Sequence, residues 1–300
     1  MDGQIVTSAH GLKTRLGAVV ELSKPVTWFP PMWAFMCGVV SSGQLGLDTL
    51  GLLAAGVILA GPLLCAGSQT VNDWFDRHVD AINEPDRPIP SGRIPGRWGL
   101  YIAIFWSVAG LVWAGFLGPW VFAAAALGVA FSWAYSAPPV RLKRSGLWGP
   151  LSVGLSYEGL AWFTGAAVIA QALPKAEVIT LAVLYSLGAY GIMVLNDFKA
   201  IDGDRAMGLK SLPAELGAAP AAQIACAAMA APQVIVVTLL AAWDRPLFAG
   251  LVFVSLIIQL ALMVRLFGDP KGRAPWFNAT GVSLYVLGML ASAFAVSSLS

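Results

Sequence analysis

Long apolar runs, broken by glycine, proline and charge, dominate this chain. They fall near residues 26–43, 48–71, 98–117, 119–136, 149–170, 176–196, 218–241, 246–267 and 276–297. A run of about 20 apolar residues spans a hydrocarbon core of about 30 Å. Inside that core the backbone must satisfy its own hydrogen bonds, which a helix does within one segment. The short alternating segments of a transmembrane barrel are not seen. The expected fold is all-α, a polytopic bundle of about nine spans in two similar halves around a central cavity. Residues 1–25 are expected to form a cytoplasmic N-terminal segment, and residues 26–300 a single transmembrane domain. Only 11% of residues are charged, against about 25% in soluble domains, too few to cover a water-facing surface. Residues 1–23 lack the pattern of a removable signal peptide. Cys37, Cys65 and Cys226 sit inside apolar runs without metal-ligand spacing and read as small buried residues.

Nine crossings place the N-terminal segment and loops 2–3, 4–5, 6–7 and 8–9 on one side. That side holds Lys13, Arg15, Lys24, Arg77, Arg87, Arg93, Arg97, Arg141, Lys143, Arg144, Lys199, Arg205, Lys210, Arg265, Lys271 and Arg273, 16 of the 18 cations; only Lys175 and Arg245 face the other side. Cationic loops stay in the cytoplasm, so the N-terminus is expected inside and the C-terminus outside.

Eight of the 16 acids occupy two places on the cationic side: Asp73, Asp76, Asp80, Glu84 and Asp86, then Asp197, Asp202 and Asp204. Each group directly continues an apolar run and opens with Asn-Asp. On a helix turning about 100° per residue, Asn72, Asp76 and Asp80 drift only about 80°, and Asp73 projects about 20° from Asp80. Four oxygen donors therefore share one helical face. Like charges four residues apart repel, so the stripe calls for a cation. Oxygen-only donors suit a hard ion, and Mg²⁺ binds through one or two carboxylates plus phosphate oxygens and water. Two such groups across a cavity would clamp a diphosphate through the metal. The competing reading pairs these acids with Arg77, Arg87, Lys199 and Arg205 at the membrane border. Calcium-loop spacing is not present.

These residues resemble a known family. Asn72-Asp73-x-x-Asp76-x-x-x-Asp80 is similar to the first signature of the UbiA prenyltransferase superfamily, and Asp197 to Asp204 to its second. The run Asn83-Glu84-Pro85-Asp86-Arg87-Pro88-Ile89-Pro90-Ser91-Gly92 is similar to the loop after the first signature. Tyr135-Ser136-Ala137-Pro138-Pro139-Val140-Arg141-Leu142-Lys143 with Gly146-Leu147-Trp148-Gly149 looks like the chlorophyll and bacteriochlorophyll synthase branch. Many superfamily members carry an acid where this chain has Ala200. The resemblance implies an integral protein of a bacterial inner, intracytoplasmic photosynthetic membrane. It implies Mg²⁺-dependent transfer, with Mn²⁺ as an alternative ion, from geranylgeranyl or phytyl diphosphate to the propionate of bacteriochlorophyllide or chlorophyllide. It implies no nucleic-acid partner.

Within that reading the metal candidates are Asn72, Asp73, Asp76, Asp80, Asp197, Asp202 and Asp204. Candidate diphosphate donors are Arg77, Arg87, Tyr135, Arg141, Lys143, Lys199, Arg205 and Lys210. Asp76, Asp197, Lys143 and Arg77 are the candidate catalytic set. The propionate is already ionised at pH 7, so no general base is needed. His78 is a candidate ligand for a chlorin magnesium, or an interfacial histidine. Glu158, inside the fifth run, is either functional or paired with a tyrosine hydroxyl. Trp28, Trp98, Trp120, Trp133, Trp148 and Trp276 read mostly as interfacial belt residues, and Trp74, Phe75, Trp133 and Trp162 as candidates for a prenyl tunnel. The alternatives are another acceptor, such as 4-hydroxybenzoate, another quinone precursor or haem, and a cation or metabolite transporter. A transporter calls for acids near the bilayer midplane on broken helices, whereas these sit at helix ends.

Overall fold

The computed structural model describes residues 15–206 and 208–299; Lys13 and His10 lie outside them. The architecture follows the apolar runs. A 3₁₀ turn, Pro25–Trp28, leads into α1 (Phe29–Ser41). There follow α2 (Leu47–Asn83), α3 (Trp98–Leu117), α4 (Pro119–Ser136), α5 (Trp148–Ala170), α6 (Ala176–Lys199), α7 (Ala218–Ala242), α8 (Pro246–Phe267) and α9 (Pro270–Ser297). Among the described residues, α2 to α9 are the eight helices long and apolar enough to cross a membrane. The first apolar run yields a shorter element: a 3₁₀ turn takes its first residues, α1 covers 13, and Gly43 at φ 66° follows its end.

Contacts at the two ends of the bundle preserve the expected alternation. At one end Lys24 pairs with Asp73, Glu21 with Arg93, and Lys271 with Asp202. At the other, Lys175 donates to the Leu299 carbonyl, Arg245 to the carbonyls of Ala295 and Ser298, and Gln171 to that of Leu117. Short as it is, the segment from Pro25 to Ser41 runs between the ends: Lys24 lies by Asp73, and Gly43 packs on the Ser297 backbone. The outer faces expose Phe105, Phe116, Phe253 and Val264, as lipid contact requires.

The core is closed by small residues. A methyl group on Gly38 would stand 1.9 Å from the Trp162 carbonyl oxygen, and one on Gly165 would stand 2.0 Å from that of Phe35. The backbones of α1 and α5 therefore touch, a geometry that small residues permit in membrane helices. Trp162, fully buried beside this contact, donates to the Ser41 hydroxyl at 2.9 Å and stacks on Tyr185. Gly165→Ala forces a backbone rather than a side chain to move. It is expected to destabilise the fold by about 1–3 kcal/mol, read as a lower melting temperature in detergent; an unchanged melt would contradict the close packing.

Two helices contain a π-helical stretch, Leu59–Cys65 in α2, which includes Pro62, and Leu155–Leu160 in α5. Such insertions re-aim side chains and concentrate at functional sites. Both stretches contribute walls to one cavity of about 440 Å³.

Candidate active site

The last turns of α2 carry the first acidic group, and the helix sorts it into two faces. Asn72 and Asp76 form one: the Asn72 amide donates to Asp76 at 3.2 Å and to Ser136 at 3.4 Å. Asp76 accepts from Lys143, and from Arg141 at 3.3 Å. Asp73 and Asp80 form the other, bridged by Arg87 at 3.5 and 2.9 Å, with Lys24 on Asp73 at 2.6 Å. Both are buried. The single stripe expected from helical periodicity is thus a split one, because different loops deliver cations to its two edges.

The loop after α4 brings Lys143 inward. Arg141 adopts a left-handed backbone, φ 45°, which turns the chain back toward α2. The Lys143 side chain is only 10% exposed. Burial holds its ammonium below the usual lysine range, and Asp76 opposes that shift. This loop is tied to the second acidic segment: the Lys210 backbone donates to the Arg144 carbonyl at 3.3 Å, and the Tyr190 hydroxyl to that of Gly146 at 3.1 Å.

The second group begins in a 3₁₀ turn, Asp197–Lys199, followed by a short helix, Ile201–Ala206. Asp197 is half-buried, and no ion pair to it occurs among the described residues. Asp204 is buried and accepts from Ser211 at 2.5 Å. Asp197 directly follows Asn196 at the end of α6, and Tyr135 stands at the end of α4. Tyr135, Asn72 and Asn196 all line the cavity, so the asparagines that open both acidic groups face it.

Several predicted residues stand elsewhere. Asp202 is 80% exposed and pairs with Lys271 at 2.9 Å, because the helix turn that buries Asp204 rotates it outward. Arg205 is exposed and donates to the Ala214 carbonyl at 3.0 Å. Arg77 folds back on its own helix, bonding the Trp74 carbonyl at 2.7 Å with its guanidinium 4.0 Å over the indole. Lys199, Lys210 and His78 are exposed. None of the proposed tunnel aromatics lines the cavity; Trp106, Phe131, Tyr135 and Tyr157 do. Glu158 is buried, faces the cavity and makes no tyrosine pair; its Oε2 has no partner. Lys24 and Asn278, whose amide donates to Asn196 at 2.8 Å, join the site unforeseen. Lys24 lay in plain view, next to Pro25 at the start of the first run. Asn278 gave no signal at all.

Asp202→Asn is expected to leave turnover within about threefold of the parent, since an exposed ion pair contributes little. A loss as large as that for Asp204→Asn, measured under the same assay, would show that the loop moves Asp202 inward.

The fold and this site define an intramembrane prenyltransferase. Residues 27–295 match the model of the UbiA prenyltransferase family, and the chain belongs to that family. It is 55% identical to the bacteriochlorophyll synthase 33 kDa chain of Cereibacter sphaeroides, covering 94% of this chain and 93% of that protein. It is 38% identical to the chloroplastic chlorophyll synthase of Oryza sativa subsp. japonica, over 93% of this chain and 76% of the relative. The structure of a UbiA homolog from Archaeoglobus fulgidus bound to GPP and Mg²⁺ superposes with a TM-score of 0.70 at 18% identity, over 91% of this chain and 99% of that one.

Proposed function

We propose that the protein transfers a geranylgeranyl or phytyl group from its diphosphate to the propionate carboxylate of bacteriochlorophyllide or chlorophyllide. The observation that carries the reading is Lys143, only 10% exposed, and Arg141 on Asp76, beside Asn72, which lines an apolar cavity together with Tyr135 and with Asn196, the residue before Asp197. The names of the relatives support the acceptor class.

Asn72, Asp76, Asp197 and Asp204 offer only oxygen atoms, which fits Mg²⁺, with Mn²⁺ as the alternative. Among the described residues, no three His, Cys, Asp or Glu side chains are gathered closely enough to hold an ion alone. A Mg²⁺ site commonly takes one or two carboxylates and completes its shell with phosphate and water, so a divided donor set suits an ion that arrives with the diphosphate. When bound, the ion supplies positive charge against the leaving group.

The chain's own residues do the rest. Lys143 and Arg141 present cations to the diphosphate as the allylic C–O bond breaks and the electron pair leaves with it. Tyr135 offers a phenolic O–H. Arg87 keeps Asp73 and Asp80 neutralised, so that they hold the α2 end rigid. The cavity excludes water that would otherwise capture the allylic cation. A propionate oxygen then forms the ester bond directly.

Sixteen of 18 cations share the site's side of the expected topology. We therefore place the site and the N-terminus in the cytoplasm and the C-terminus outside, in a bacterial inner membrane of the photosynthetic intracytoplasmic kind. The test is an acceptor panel: membranes holding the protein, labelled geranylgeranyl diphosphate and Mg²⁺, with bacteriochlorophyllide, chlorophyllide or 4-hydroxybenzoate. A pigment ester formed only without chelator is expected. Transfer to 4-hydroxybenzoate alone would overturn the reading.

A further inference from the structure

Trp106, Ser132 and Glu158 line the cavity of about 440 Å³, and each carries a buried polar atom without a hydrogen-bond partner: Nε1, Oγ and Oε2. They come from three helices, α3, α4 and α5. Glu158 is 8% exposed and sits on the π-helical stretch Leu155–Leu160. Its neighbour Tyr157, by contrast, is fully engaged: its hydroxyl accepts from Gln69 at 2.9 Å and meets Ser68 at 3.1 Å. Tyr157 is thus satisfied within the protein, whereas the buried polar atoms of Trp106, Ser132 and Glu158 are not.

Buried polar groups in native proteins find a partner in protein, water or ligand. An isoprenoid chain filling the cavity would expel water and offer these three atoms nothing. A macrocycle with peripheral carbonyls offers several acceptors. The Trp106 N–H donates only, the Ser132 hydroxyl donates and accepts, and Glu158, buried with no ion pair among the described residues, is held as the neutral acid and donates its O–H. We infer that Trp106, Ser132 and Glu158 form the acceptor subsite, a hydrogen-bonding frame that reads the peripheral oxygen atoms of the tetrapyrrole. They are specificity-determining residues, and the prenyl chain lies away from them. This rests on the chlorin-acceptor reading proposed above.

The test measures KM for donor and acceptor separately in Trp106→Phe, Ser132→Ala and the double variant, each of which removes the hydrogen-bonding group and little else. Glu158→Leu and Glu158→Gln are compared in parallel, and bacteriochlorophyllide with its acetyl group is compared with an analogue bearing vinyl at that position. The double variant is expected to raise acceptor KM about tenfold, with donor KM within about twofold, and to shrink the preference for the acetyl compound. Glu158→Gln should retain most of the acceptor affinity that Glu158→Leu loses. A rise in donor KM with acceptor KM unmoved would place the tail against these residues and overturn the inference. Unchanged values for both would do so too. If the unsubstituted protein esterifies no chlorin at all, the proposed function falls first, and this subsite with it.

Discussion

Asp76→Ala is expected to lower the rate of Mg²⁺-dependent prenyl transfer about 10³-fold. Asp76 is where the site's charges cross. It accepts from Lys143, Arg141 and Asn72. Removing it deletes a donor oxygen and leaves two cations without their anion, one of them on a side chain only 10% exposed. The loss should lie in kcat more than in donor affinity, because the freed cations still attract a diphosphate. Single-turnover rates with labelled geranylgeranyl diphosphate measure it. Turnover within about threefold of the parent would contradict the role given to Asp76.

Lys143→Met is expected to reduce kcat/KM about 10²-fold. The methionine keeps the side chain's length and apolar stem but removes the charge that meets the leaving group. In a buried setting that charge acts with less screening than on a surface. Lys143→Arg should recover part of the loss: the charge returns, though a planar fork does not fit where a compact ammonium sat. Equal activity of Lys143→Met and the parent would move the leaving-group role to Arg141.

The part of the fold that sequence makes legible is the part that solvent dictates. Apolar runs had to become helices, and the cation-rich loops were expected to mark one end. Hydropathy alone does not register that the first run divides into a 3₁₀ turn, Pro25–Trp28, and the 13 residues of α1. The face shared by Asn72, Asp76 and Asp80 followed from helical periodicity. Its division did not, because Lys24 and Arg87 reach one edge while Arg141 and Lys143 reach the other, all from separate loops. Asp202 and Asp204 differ by two positions in sequence. A 3₁₀ turn and one short helix, neither of which has a hydropathy period, decide that one faces water and the other Ser211. Which aromatics face the cavity was hidden for a similar reason. Helix rotation is set by close contacts at small residues: Gly38 on Trp162 and Gly165 on Phe35 hold Trp162 in the core, while Gly67 of α2 packs on Trp106 of α3, which faces the cavity.

Glu158 shows the converse. An isolated carboxylate inside an apolar run was visible from the start, but its two readings could not be separated without knowing where each tyrosine hydroxyl goes. Tyr157 bonds Gln69, Ser68 and Cys65, and Tyr285 bonds the Tyr185 carbonyl, so Glu158 is left to the cavity.

The central claim is that two acidic segments, distant in sequence, hold one metal–diphosphate between them. Isothermal titration of geranylgeranyl diphosphate into the detergent-purified protein tests it most directly, with Mg²⁺ and with chelator, for the parent and for Asp197→Asn. The expected result is binding that requires Mg²⁺ in the parent and is weakened about 10–100-fold in Asp197→Asn, although Asp197 belongs to the other segment from Asp76. Equal affinity with and without the metal, or an undisturbed Asp197→Asn isotherm, would contradict the account.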